Sequence, residues 1–189
     1  MLSDLDKTLE ALLKSELPAD LVEQVKISFA TPDAEFPPSS VVLPAIDLFL
    51  YDIRENWELR SNDWTRERTN GVVISHGPPV RVDCSYLVTA WANKSAPDPT
   101  QDEHRLLGEV INVLVRHRTI PTEVLQGKLQ GQEPPVRTKV LQTTNLQGLG
   151  EFWQALGGKP KAALHYSITI SIPVGEPVVV GPPVIDTRV

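Results

Sequence analysis

Four histidines and one cysteine are the side chains best suited to metal or nucleophilic chemistry, and their spacing sets the first limit on what this chain does. His76, His104, His117 and His165 stand far apart, none in a His-x-x-x-His or Cys-x-x-Cys setting that offers a metal two ligands from one element. His104 and His117 read as solvated helix ends and His76 as a turn residue. Cys84 shares a strand face with Val82 and Tyr86, which makes it a small buried hydrophobe rather than a nucleophile. No phosphate-binding glycine motif occurs, and Gly148-Leu149-Gly150 and Gly157-Gly158 lack the strand before and the helix after that a phosphate cradle needs. Gly-x-Ser-x-Gly is absent. Asp102, Glu103 and Glu109 fall on a helix whose N-terminal dipole favours acidic groups, so capping and solvation account for them. The expectation is no catalytic residue, no metal and no cofactor, and hence no enzyme.

One cluster points to recognition instead. Residues 54–68 hold two tryptophans, Trp57 and Trp64, and four arginines, Arg54, Arg60, Arg66 and Arg68, beside Glu55, Glu58, Asp63 and Glu67. Trp and Arg are enriched at the centres of protein interfaces. The competing reading is that both tryptophans roof the sheet of their own chain while the charges face water. A long hairpin also leaves a sheet edge able to accept a strand from a neighbour.

The elements that would carry this cluster follow from periodicity. Leu2, Leu5, Leu9, Leu12 and Leu13 recur at helical spacing, predicting an amphipathic helix over about residues 3–16 with Ser3 as its cap and Pro18 as its stop. Val25, Ile27 and Phe29 alternate with polar residues, so residues 22–29 read as a half-buried strand. Thr31–Ser40, with Pro32, Pro37 and Pro38, reads as a loop. Ile46–Ile53 is apolar on both faces, as a strand in the middle of a covered sheet would be. Residues 58–68 and 72–74, joined by the type I′ turn signal Asn70-Gly71, read as the exposed hairpin. Pro78-Pro79 opens a strand from Val80 to Trp91 in which Val82, Cys84, Tyr86, Val88 and Ala90 share one face.

Further on, Leu106, Leu107, Val110, Ile111 and Leu114 form the stripe of a core-facing helix over 103–118. Pro121–Leu125 is a short turn, 127–135 a flexible connector, 137–143 a strand, 149–156 a short helix closed by Gly157-Gly158, and 166–172 a strand. The tail from Val174 holds Pro177, Pro182 and Pro183 among valines and is expected to be extended, without hydrogen-bonded structure of its own. No internal repeat occurs. The sum is an α+β fold: a mixed, mostly antiparallel sheet with helices packed mainly on one face and a long exposed hairpin. The domain spans 1–173, and the Pro/Val-rich tail 174–189.

Composition excludes several function classes. The 189 residues are 41% hydrophobic and 22% charged, with a net charge of −6, which fits an ordinary globular chain and not a nucleic-acid binder with its clustered basic surface. One cysteine makes no intrachain disulfide; that suits a reducing cytoplasm and leaves an oxidising compartment open. The N-terminus lacks the basic and apolar regions of a classical signal, and no stretch approaches the ~18 apolar residues of a spanning helix.

Five ordered blocks carry a resemblance. Residues 48–56 (Leu-Phe-Leu-Tyr-Asp-Ile-Arg-Glu-Asn), 58–60 (Glu-Leu-Arg), 78–91 (Pro-Pro-Val-Arg-Val-Asp-Cys-Ser-Tyr-Leu-Val-Thr-Ala-Trp), 102–108 (Asp-Glu-His-Arg-Leu-Leu-Gly) and 152–157 (Phe-Trp-Gln-Ala-Leu-Gly) resemble those of the cap, or tail-terminator, proteins of phage-tail-like contractile injection systems. Each block alone is unremarkable; their order and spacing, over about Leu2 to Pro173, are specific. The resemblance implies a tail-terminator-like structural protein, assembled as a homo-hexameric ring on the inner tube at the end distal to the baseplate. That ring stops tube growth and secures the last sheath layer, whose arms can add strands to the cap's sheet. It also implies assembly in the cytoplasm within a phage-tail-like particle, with no nucleic acid and no direct membrane insertion.

A ring requires a heterologous side-to-side contact on each copy. The candidates are the hairpin, with Arg54, Glu55, Trp57, Arg60, Asp63, Trp64, Arg66 and Arg68, and the acidic helix with Asp102, Glu103 and Glu109, the hairpin crossing to a neighbour. Two departures from the pattern are the insert Thr31–Ser40 and a tail shorter than the extensions some related caps carry, so a docking domain is expected to be missing. The tail reads equally as an arm lying in a groove of tube, sheath or neighbour and as a loose terminus. The rival readings are a bacteriophage tail terminator or adaptor, an α+β enzyme, and a monomeric binding module using the Trp/Arg hairpin.

Overall fold

Leu5, Leu9, Leu12 and Leu13 fall on one face of α1 (Leu2–Glu16) and are fully buried, as their spacing demands. The computed structural model describes residues 1–69, 72–141 and 149–180. α1 starts one residue before Ser3, with Met1 at the cap position and no side-chain cap, so Ser3 sits inside the first turn instead of closing it. The helix ends where Leu17 turns extended ahead of Pro18, the backbone that a residue before proline prefers. The strand expected over 22–29 is instead a six-residue helix α2 (Ala19–Gln24) followed by a three-residue strand β1 (Lys26–Ser28). Pro18 at the cap position starts a new helix, which absorbs the first half of the alternating pattern.

The main sheet has five strands in the order β1-β2-β5-β7-β6. β2 (Ala45–Glu55) runs parallel to β1 and antiparallel to β5 (Val80–Trp91); β7 (Ala163–Ile172) lies between β5 and β6 (Arg137–Val140), antiparallel to both. The centre is therefore β5, with β2 one strand to its side. One face carries Ile46, Leu48, Val82, Cys84, Tyr86, Val88, Ala90, Leu164, Tyr166, Ile168 and Ile170, buried against α1 and α3 (Pro99–Arg116). α3 is capped by Asp98, whose carboxylate accepts the Gln101 amide at 3.1 Å, and begins on Pro99, four residues earlier than expected.

β2 is apolar on its second face because α4 (Leu149–Ala155) packs there. Phe49 and Tyr51 meet the Phe152 ring at 6.5 and 6.0 Å between centroids, and Trp153 is buried beside it. Helices thus cover mainly one face, as the periodicities predict. A bulge between Leu50 and Asp52 gives Tyr51 its place opposite α4. The segment read as a flexible connector is ordered: Gly127–Leu129 forms a 310 turn and Leu129 is fully buried in the core.

The hairpin forms a second sheet, β3-β4-β8. Its strands are β3 (Thr65–Thr69) and β4 (Val72–His76), with Thr69 opposite Val72; Asn70 and Gly71 of the expected turn lie outside the described residues. Residues 57–59 make a 310 turn and 60–64 are irregular, so the hairpin strands are shorter than predicted. The third strand, β8 (Val178–Val179), is part of the tail and pairs antiparallel with β4. That overturns the expectation of a tail without hydrogen-bonded structure.

Candidate assembly interface

The root of the hairpin is fixed by a polar knot across three strands. Asp83 of β5 accepts the Asn56 amide at 2.9 Å on one carboxylate oxygen and the Thr169 hydroxyl at 2.6 Å on the other. The Asn56 side-chain oxygen in turn accepts the Leu59 amide at 3.1 Å, and the Asn56 amide donates to the Arg81 carbonyl at 2.8 Å. Asn56 and Thr169 are buried, so each partner satisfies a group that would be costly to strand. None of these three residues stood out in the sequence. The available signal was Asp83 itself, a carboxylate within a strand flanked by the apolar Val82 and Cys84 of the opposite face.

Beyond the knot the aromatic and charged candidates spread outward. Arg54 is the last residue but one of β2, its Nε 2.7 Å from Asp52, and Glu55 ends the strand opposite Val82. Trp57 is 67% exposed and its ring is covered on one side by Arg60, whose Cζ lies 4.7 Å from the centroid. Asp63 is exposed in the irregular stretch. Trp64, 58% exposed, lies against Gly77, where a Cβ would stand 3.6 Å from its Cη2. Neither tryptophan roofs the main sheet. Arg66 and Arg68 alternate with Glu67 along β3 and so share one face, while Glu67 approaches His76 at 3.8 Å. His76 closes β4 rather than occupying a turn. Residues 54–68 hold four arginines and four carboxylates, so any attraction for an acidic partner comes from this arrangement and not from net charge.

The acidic candidates divide. Glu103 is engaged within its own chain: it pairs with Lys161, whose ammonium sits 4.4 Å over the Trp91 ring, and accepts the Ala92 amide at 3.3 Å. Asp102 is half exposed, with Arg105 4.0 Å away, and Glu109 lies two turns on beside Asn112 and the exposed Val115. Glu103 contacts the residue just past the end of β5, whereas the knot grips its beginning. Nine residue steps along the chain, from Asp83 to Ala92, set the two groups roughly 30 Å apart. A single chain does not bring hairpin and acidic helix together; the separation suits a head-to-tail contact between copies.

Other groups are structural. His117 is mostly buried, its Nε2 3.3 Å from Glu16, and is no solvated helix end. His165 meets the Tyr51 hydroxyl at 3.3 Å, and burial lowers its pKa. Cys84 is buried and its thiol is pushed up to about 11 by burial and by Asp83 and Asp6, which keeps it unreactive. Among the described residues no group of three or more histidines, cysteines or carboxylates is placed to hold a metal, and no helix is long and apolar enough to cross a membrane.

Comparison with known proteins gives a consistent picture. The family described as the Pvc16 N-terminal domain matches residues 4–187. The whole chain superposes on the PVC sheath/tube terminator of an extracellular contractile injection system in its extended state, with a TM-score of 0.70 and 27% identity. It also superposes on the tube-terminating cap of the anti-feeding prophage, with a TM-score of 0.69 and 26% identity. The chain spans 62% and 61% of the length of those two chains. No curated protein matches the sequence.

Proposed function

The chain belongs to the Pvc16 N-terminal domain family, and from that premise we propose that it is a structural cap of a contractile injection system, terminating the inner tube and securing the last sheath layer at the end distal to the baseplate. The observation that carries this reading is the superposition of the entire chain on two tube terminators. Its partners are then the tube protein, the sheath protein and five further copies of itself, the domain over 1–173 forming the ring and 174–189 an arm. It works by shape rather than by turnover, assembling in the cytoplasm as part of the particle.

The physical requirement is asymmetric. A tube grows because each ring exposes a surface that fits the next, and a terminator must fit on one face and refuse on the other. Six copies close side to side only through a heterologous contact, and the exposed Trp57, Trp64, Arg66 and Arg68 at one end of the sheet, with Asp102 toward the other and Glu109 midway along α3, support that contact. Of the two edges of the five-stranded sheet, β6 is already covered by residues 118–120, which bridge to it at Arg137, so β1 is the edge able to take a sheath strand.

Electron microscopy of purified particles tests the proposal. Tagged chain is expected at one end only, and a deletion strain is expected to build tubes of irregular length that shed their sheath. Normal, uniform particles in the deletion strain would exclude a terminating role.

A further inference from the structure

We propose that Val178–Val180 is an exchangeable arm, which in the assembled ring adds to the β4 edge of the next copy instead of its own. The inference rests on the terminator reading above. Within one chain the arm is held by little. β8 has two register positions on β4, Ile74 with Val179 and Ser75 with Val178, extended by one backbone hydrogen bond of 2.9 Å from the Val180 amide to the Val73 carbonyl. Its side chains stay outside, with Val179 65% exposed and Val178 and Val180 about half exposed. Pairing in cis therefore satisfies backbone groups while leaving about half of each valine in water, unlike a strand retained by a packed face.

The hinge is equally unsupported. Pro173–Pro177, which joins β7 to β8, forms one wall of a cavity of about 1000 Å³ bounded by Met1, Gln132, Ser171 and the hairpin residues Asp63 and His76. The linker lines that space on one side, and in the wall around it the Ser171 hydroxyl and the Gln132 amide are buried without a hydrogen-bond partner. At its middle Gly175 holds φ +82°, with open space around the position of a Cβ. Glycine exchanges this backbone for an extended one without steric cost. Straightening there redirects an arm whose five hinge residues reach ~17 Å.

A second copy is the occupant because the strand known to fit β4 in register is this chain's own. An identical element offered by a neighbour forms the same ladder, the basis of domain exchange. The β4 edge needs a cover in either state, since an unpaired edge invites uncontrolled association. The arm also lies beside the arginine-bearing hairpin, so exchange falls within the proposed ring contact, and the valines left exposed in cis come to lie between copies. Each protomer gives one arm and receives one.

The test places cysteines at Ile74→Cys and Val179→Cys in the full chain, with each single variant as control. Particles carrying the double variant are oxidised mildly and run on a non-reducing gel. The expected result is a covalent ladder of cap chains from particles, against a fast-migrating intrachain species from dilute isolated chain. An intrachain bond in particles, or no bond there when the isolated chain forms one, overturns the exchange. Ser75→Cys with Val178→Cys repeats the test should the first pair impair folding. Absence of the chain from particles by immunoblot counts against the terminator reading instead. The exchange is then decided on concentrated isolated chain, where a ladder supports it and an intrachain bond overturns it.

Discussion

Asp47, fully buried on β2, accepts the Ala30 amide at 3.1 Å and so ties the chain leaving β1 to the neighbouring strand. Burial raises its carboxyl from an ordinary value near 3.8 to about 7, against the opposing hydrogen bonds from Ser28 and Ala30. Its second oxygen has no partner. Between pH 4 and 7 the folded state holds a proton that the unfolded state has lost, so this group makes stability fall as pH rises through that window and level off above it. The ceiling is roughly 4 kcal/mol. Asp47→Asn keeps an acceptor for Ala30 and removes the titration. Its melting temperature is expected to exceed that of the parent at pH 8 and to converge with it near pH 4, and parallel curves across that range would refute the assignment.

Tyr86 donates its hydroxyl to Asp6 at 2.9 Å, joining the central strand to α1. Burial raises the Asp6 pKa and the tyrosine bond opposes it. Tyr86→Phe leaves a half-buried carboxylate without its donor and is expected to cost about 1–3 kcal/mol in urea unfolding at pH 7. Adding Asp6→Leu should recover part of the loss, whereas purely additive effects would argue against the coupling.

Removing the hairpin anchor should separate folding from assembly. Asn56→Ala strands one Asp83 oxygen at the margin of the core and leaves the Leu59 amide only its 3.3 Å bond to the carbonyl of residue 56. The expected outcome is a loss of about 1–3 kcal/mol, together with faster amide exchange confined to residues 57–76. Uniform protection across the hairpin would show that the knot does not hold it.

The proposed ring contact is tested at its exposed residues. Trp64→Ala combined with Arg66→Ala is expected to leave the melting temperature within a degree or two while abolishing the oligomer in native mass spectrometry, because truncating interface anchors of this type costs about 2–4 kcal/mol of association. A reversal at Asp102→Lys should act the same way, and Glu103→Gln should differ by lowering stability, since that carboxylate is committed to Lys161 and the Ala92 amide. An intact ring in the double alanine variant would remove the hairpin from the contact.

Periodicity alone determined the buried faces of α1, α3 and β5, because side-chain direction along a helix or strand is a local property set by 3.6- and 2-residue repeats. The same local reasoning exposed the Trp/Arg hairpin and the absence of catalytic spacing. Which strands neighbour one another was decided only in three dimensions. β5 rather than β2 took the centre, α4 covered the second face of β2, and Leu129 entered the core from a segment that reads as a connector. So too were the Asn56–Asp83–Thr169 knot, the capture of Glu103 by Lys161, and the pairing of β8 with β4. These are encounters between residues as much as a hundred positions apart. A strand's pattern states which side must be dry, but its partner is chosen by the summed packing of the whole chain, which no window of sequence contains.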